Sequence, residues 1–162
     1  LFRSQLATVR GRDVACSNST RGLIAGGTNP TLLSSIEYVT TASTGNGVSF
    51  GNLTQANQTQ GGCASSTRGI FAGGNAGPVV GITNVIEFAT ISTLGNTISF
   101  GQLTVARDTL HAGCSNSTRG IFFGGATPSY ANTIDFITIS SLGNATSFGN
   151  ISTTREIGRA HV

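Results

Sequence analysis

The chain has 162 residues, of which only 9% are charged, with 23 glycines, nine arginines, no lysine, no tryptophan, no methionine and a formal net charge of +3. An ordinary globular domain carries about 25% charged residues, and a coiled coil or helix bundle, built from Glu, Lys, Leu and Ala, would need far more than the three Glu and no Lys found here. No run of about 18 apolar residues is present to form a membrane helix, the arginines are too scattered for a nucleic-acid platform, and the regular recurrence of Ile, Val, Leu and Phe excludes charged disorder.

In chain order, the first element is not a structural one. Leu1-Phe2-Arg3-Ser4 can be encoded by CTC TTC CGA TCT, and residues 156–162 by GAG ATC GGA AGA GCA CAC GTC. The first string is the reverse complement of part of the second, and both resemble a short-read sequencing adapter. The expectation is a metagenomic fragment whose native part runs from residue 5 to 155. That removes Arg3, Glu156, Arg159 and His161, leaving seven arginines and five acids. Residues 5–10 then read as the tail of a preceding repeat, because Gln5-Leu6-Ala7-Thr8-Val9-Arg10 parallels residues 102–107.

Three internal repeats follow, at about 16–62, 63–113 and 114–155, and they decide the fold. Cys16-Ser-Asn-Ser-Thr-Arg21-Gly-Leu-Ile-Ala-Gly26-Gly27 returns from Cys63 to Gly74 and again from Cys114 to Gly125, at spacings of 47 and 51 residues. Each copy continues with an acid and an aromatic (Glu37-Tyr38, Glu87-Phe88, Asp135-Phe136). A Gly-Asn turn and a Ser-Phe-Gly then follow, the latter at residues 49–51, 99–101 and 147–149. Arg107 and Arg155 close two copies where Asn57 closes the other. Short runs of β-branched and aromatic residues between Gly, Asn and Pro turns predict four strands per copy. For the middle copy these are 61–65, 68–72, 84–91 and 97–104. The third strand is apolar on both faces: Ile134 and Phe136 point one way, Ile137 and Ile139 the other. Such a strand belongs in a sheet packed between two neighbouring sheets. Four-stranded units of about 50 residues with that property are propeller blades.

In this order of features the chain resembles the kelch repeat. Phe100-Gly-Gln-Leu103, then Arg107, then Ile121-Phe-Phe-Gly124-Gly125 follows the family's sequence of an aromatic segment, an arginine and an apolar run ending in Gly-Gly. Phe stands where the family usually has Trp. The composition is similar to the Gly, Ser, Thr and Asn-rich repeats of phage virion and tail-fibre proteins. The resemblance implies an all-β propeller fragment: three four-stranded blades plus a leading strand. A ring needs about 4–8 blades, so this one does not close. The expected partners include the missing blades of the same chain, or a second copy giving six.

Symmetry between copies separates scaffold from site: a residue present in every blade is expected to be structural. Cys16, Cys63 and Cys114 are expected to be small buried thiols, too far apart across ~10 Å between sheets to bridge. Arg21, Arg68 and Arg119 open the second strand, and Glu37, Glu87 and Asp135 lie on the third, which predicts one structural ion pair per blade. Arg10, Arg107 and Arg155 read as loop anchors. His111 lies near Asp108, but no nucleophile motif stands beside it. Tyr38, Tyr130 and His111 are too few to make the copper site of galactose oxidase, which shares the kelch architecture. No cofactor or metal is expected, and the sequons at Asn18, Asn52, Asn57, Asn116, Asn144 and Asn150 are explained by composition.

The copies differ most in the loop after Gly-Gly, which makes Asn29, Leu32, Val79, Val80, Ser129 and Tyr130 the candidate binding residues. Variable loops on a rigid scaffold are where binding usually resides, and Tyr130 can stack on a sugar or anchor an interface. The expected function is a non-enzymatic module binding a protein or glycan, with no nucleic-acid or membrane partner, in a virion or at an extracellular site. The alternatives are the propeller domain of a secreted or surface enzyme whose catalytic residues lie elsewhere, and an intracellular kelch adaptor.

Overall fold

The computed structural model describes residues 5–108 and 113–153. Residues 1–4 and 154–162, and with them Arg155 and the adapter-like ends, lie outside the described residues, as does His111. The described chain is all β. Blade 1 is the antiparallel sheet β1 (Val14–Ser17), β2 (Arg21–Ala25), β3 (Ser35–Thr40) and β4 (Val48–Asn52). Blade 2 is β5 (Gly61–Ala64), β6 (Arg68–Ala72), β7 (Val85–Thr90) and β8 (Ile98–Gln102). Blade 3 is β9 (Gly113–Ser115), β10 (Arg119–Phe123), β13 (Thr133–Thr138) and β14 (Thr146–Asn150). In the last blade the loop after Gly-Gly forms a two-stranded pair of its own, β11 (Ala126–Thr127) with β12 (Ser129–Tyr130).

The four strands expected per repeat are therefore present, in meander order, and the three sheets stack as an open propeller-like array. The innermost strands β1, β5 and β9 are neighbours across the stack. Two apolar cores lie between blades, not within one. Leu23, Ile36 and Phe50 of blade 1 pack with Phe71, Ala89 and Ile91 of blade 2. Ile70, Phe88 and Phe100 of blade 2 pack with Phe122, Ile137 and Ile139 of blade 3. A third strand apolar on both faces is what such a stack requires: its even positions feed one core and its odd positions the next.

Every blade carries a register shift between its third and fourth strands, at Ile36/Glu37, Ile86/Glu87 and Ile134/Asp135. The extra residue opposite it is the Phe of Ser-Phe-Gly. A bulge bends its strand and re-aims side chains. Here it sits beside the acid and brings the Phe edge-on to the third-strand aromatic, with ring centroids 6.0–6.1 Å apart in all three blades.

Residues 5–10 were expected as a strand, but they pair in no ladder. They lie along blade 1 as a linker, with Gly47 N donating to Gln5 O at 2.8 Å. Asn52 and Gln102 hold the same position against the next blade, accepting from Thr97 N and Ala145 N at 2.9 and 2.8 Å. Residues 5–10 thus occupy the place of a preceding blade's tail.

Candidate functional site

The charged groups come together differently from the sequence-based expectation. Glu37, Glu87 and Asp135 are buried, but Arg21, Arg68 and Arg119 do not pair with them. The ladder places Arg68 opposite Thr90, three residues along β7 from Glu87. Side chains alternate along a strand, so Glu87 projects from the sheet face opposite the one shared by Thr90 and Arg68, and the two charges point away from each other. These arginines instead sit over the third-strand aromatic of their own blade, 4.8 Å from the Tyr38 centroid, 4.5 Å from Phe88 and 5.0 Å from Phe136. Two of them then reach across the interface: Arg21 Nη1 donates to Ile91 O at 2.7 Å and Arg68 Nη1 to Ile139 O at 2.6 Å. They clamp one blade to the next.

The acids are held by the linker that enters from the preceding blade. Arg10 Nη2 pairs with Glu37 at 2.5 Å, and Arg107 Nη2 with Asp135 at 2.7 Å. The same guanidinium groups donate to main-chain carbonyls, Arg10 Nη1 to Gly26 O and Ser35 O and Arg107 Nη1 to Thr133 O. The Ala7 and Thr8 amides donate to Glu37, and Thr54 and Thr104 each give an amide and a hydroxyl to Glu87 and Asp135. Burial alone would push the Glu37 carboxyl up, yet the Ala7 amide, Arg10 and the Thr8 amide together hold it below the usual carboxylate value. Burial pulls the Arg107 guanidinium below its usual value against the opposing pull of Asp135. Arg10 and Arg107 are thus the loop anchors that the repeat order implied.

Blade 2 breaks the pattern. Asn57 takes the arginine's place and reaches only Gly73 O, at 2.9 Å, while its Oδ1 has no partner among the described residues. Glu87 is held instead by Thr54 and by the Thr97 hydroxyl at 2.5 Å. Thr97 stands where the other blades have Gly47 and Ala145. The sequence reading missed Thr54, Thr97 and Thr104; for Thr54 and Thr104 the signal was a hydroxyl residue three positions after the glycine of each Ser-Phe-Gly segment, Ser152 in the last copy.

The glycine pairs end β2, β6 and β10 with positive φ, 64° and 91° at Gly26 and Gly27. A Cβ at Gly26 would overlap the Asn57 carbonyl, which accepts from Gly27 N at 2.8 Å. Gly74 N binds Arg107 O in the same way, at 2.9 Å. Asn57 and Arg107 thus each tie their carbonyl to the blade they leave and their side chain to the blade they enter.

The three cysteines are free. Only Cys63 is fully buried; Cys16 is half-buried and Cys114 exposed, which corrects the expectation of three buried thiols. Burial pushes the Cys16 and Cys63 thiols up to about 12. The sulfur of each packs on a glycine of the next blade: a Cβ at Gly69 would lie 2.8 Å from Cys16 Sγ, and one at Gly120 2.6 Å from Cys63 Sγ.

The loops after Gly-Gly form one rim. Each is pinned to the incoming linker by a pair of main-chain bonds, Thr28 to Gly11, Asn75 to Gln58 and Ala126 to Asp108. Above that base Val79 is 95% exposed, Tyr130 56% and Val80 51%, and Ser129 is exposed beside Tyr130 on β12. Leu32 is half-buried and lies against Gly77 of the neighbouring loop. The Asn29 amide is engaged with Val9 O at 2.7 Å, so that residue serves the loop itself. Among the described residues no group of three or more His, Cys, Asp and Glu side chains converges. No family model matches the chain, and no curated protein matches it at a significant level.

Proposed function

We propose that the chain is a non-enzymatic binding module of kelch-like blades, whose rim loops contact a glycan or protein, in the setting of a phage virion or tail fibre. The observation that carries this reading is the exposure of Val79, Val80 and Tyr130 on loops whose bases are fixed by main-chain bonds. Apolar and aromatic side chains held out on a rigid base bind with little loss of conformational freedom. The three buried carboxylates are committed to the linker bonds and supply no free acid or base to the rim. Tyr130 beside Ser129 pairs a ring that can stack on a sugar with a hydroxyl that can bond to it.

The test is a glycan array probed with the whole chain and with Tyr130→Ala and Val79→Ser/Val80→Ser variants. Binding to a defined glycan class that falls at least tenfold in either variant supports the reading. Binding that neither variant changes would show that the rim is not the contact. Glycan binding by a face away from the rim, or turnover of the bound glycan, would favour the enzyme-domain alternative.

A further inference from the structure

We infer that the outer face of blade 3 is a preformed docking face for one further blade of this same repeat. The same interface occurs twice within the chain. Between blades 1 and 2, Gly95 N donates to Phe50 O at 2.9 Å, Asn52 N donates to Asn96 Oδ1 at 2.9 Å, and Arg21 reaches Ile91 O. Between blades 2 and 3, Gly143 N donates to Phe100 O at 3.0 Å, Gln102 N donates to Asn144 Oδ1 at 3.1 Å, and Arg68 reaches Ile139 O. Blade 3 presents the same groups a third time, and among the described residues nothing lies upon them. Phe148 is 54% exposed, against 3% for Phe50 and 4% for Phe100. Cys114 is exposed where Cys63 is buried. A Cβ at Gly51 or Gly101 would overlap the next blade's turn, whereas one at Gly149 meets nothing within 4 Å. Arg119 is already stacked on Phe136, and among the described residues its guanidinium makes no hydrogen bond.

The repeated interface sets the chemistry of the occupant. It must present a glycine at the place of Gly69 and Gly120, to receive the Cys114 sulfur. It must offer a Gly-Asn turn to Phe148 O and Asn150 N, and an apolar residue at the place of Ile91 and Ile139. Blade 1 of a second copy fails two of these conditions. Its Asn46 Oδ1 and Gly47 N are already taken by Gln5, and it carries Thr41 where the other blades carry isoleucine. The occupant is therefore a blade with an open linker slot, not a second copy of this chain.

The experiment extends the whole chain after Arg155 with a copy of residues 58–107, the middle blade, and follows alkylation of Cys114 by iodoacetamide together with the mass in solution. Docking predicts a monomer in which Cys114 reacts at least tenfold more slowly than in the unextended chain. A Gly→Val change at the grafted counterpart of Gly69 should restore its reactivity. Undiminished reactivity of Cys114 would overturn the inference, whether the grafted blade folds apart or stays unfolded. So would a doubled mass and a concentration-dependent protection of Cys114 in the unextended chain, because the face would then take a second copy. Rim binding to glycans is read separately, so its failure leaves this result standing.

Discussion

Arginine occupies two positions in the repeat, and each serves a different contact. The strand-opening arginines lie on an aromatic ring, two of them, Arg21 and Arg68, also donating to a carbonyl of the next blade, while the linker arginines Arg10 and Arg107 neutralise a buried carboxylate. Truncating one member of a buried pair costs about 3–5 kcal/mol, mostly through the charge left unpaired. Asp135 and Arg107 are both fully enclosed, so Arg107→Asn should lower stability in urea by about 3 kcal/mol. Asn57→Arg should do the reverse by about 2 kcal/mol, giving Glu87 the partner its sister acids have and removing an unpaired Asn57 Oδ1. Equal urea midpoints for both variants and the parent chain would contradict this account of the linker. The mispairing of Arg68 with Glu87 from sequence has a physical cause. Adjacent strands suggest adjacency of their residues, but the register that separates Arg68 from Glu87 is set by turns and a bulge. The true partner arrives from another blade. The signal was present in the order Arg10 before Glu37 and Arg107 before Asp135, but Asn57 interrupts it in the middle copy.

At the scale of the element, the strands were legible because each is a short apolar run bounded by glycine or asparagine. In blade 2 the observed spans Gly61–Ala64, Arg68–Ala72, Val85–Thr90 and Ile98–Gln102 fall within the expected ones. The bulge was not legible, since an unpaired Phe looks like any other strand residue until the ladder is seen. Nor was the linker nature of residues 5–10, whose short run with Leu6, Thr8 and Val9 imitates a strand. Strands of different blades come into close contact at the cysteine–glycine pairs, which gives a direct test of the stack. Gly120→Ala should destabilise the chain by about 1–3 kcal/mol, the range for forcing an extra methyl into a packed core. Combined with Cys63→Ala, which removes the opposing sulfur, the loss should be less than the sum of the two single changes. Strict additivity would mean that the two residues are not in contact.

For the whole molecule, the array holds together through cores shared between blades, so its stability is a sum of nearest-neighbour interfaces more than of isolated sheets. The three-blade count and open form followed from the repeat, since a period of about 50 residues with four strands admits few other architectures. The site was less legible. Val79, Val80, Ser129 and Tyr130 stand exposed on the rim as their loop positions implied, but Leu32 packs on a neighbouring loop and Asn29 bonds to the linker. Those two contacts depend on how blades sit beside one another, which no single repeat encodes.

The stacking order makes the three chemically equivalent cysteines unequal, and that inequality is the most direct measurement of the account. Alkylation of the native chain with iodoacetamide at pH 8, read by peptide mass for each cysteine, should find Cys114 modified first. Cys16 and Cys63 should react far more slowly, because burial holds both thiols protonated, up to about 12, against about 8.5 for a free thiol. Cys114 fast with Cys16 and Cys63 slow is the result the stacked array predicts. Equal rates at all three positions, in a chain that remains folded, would contradict it.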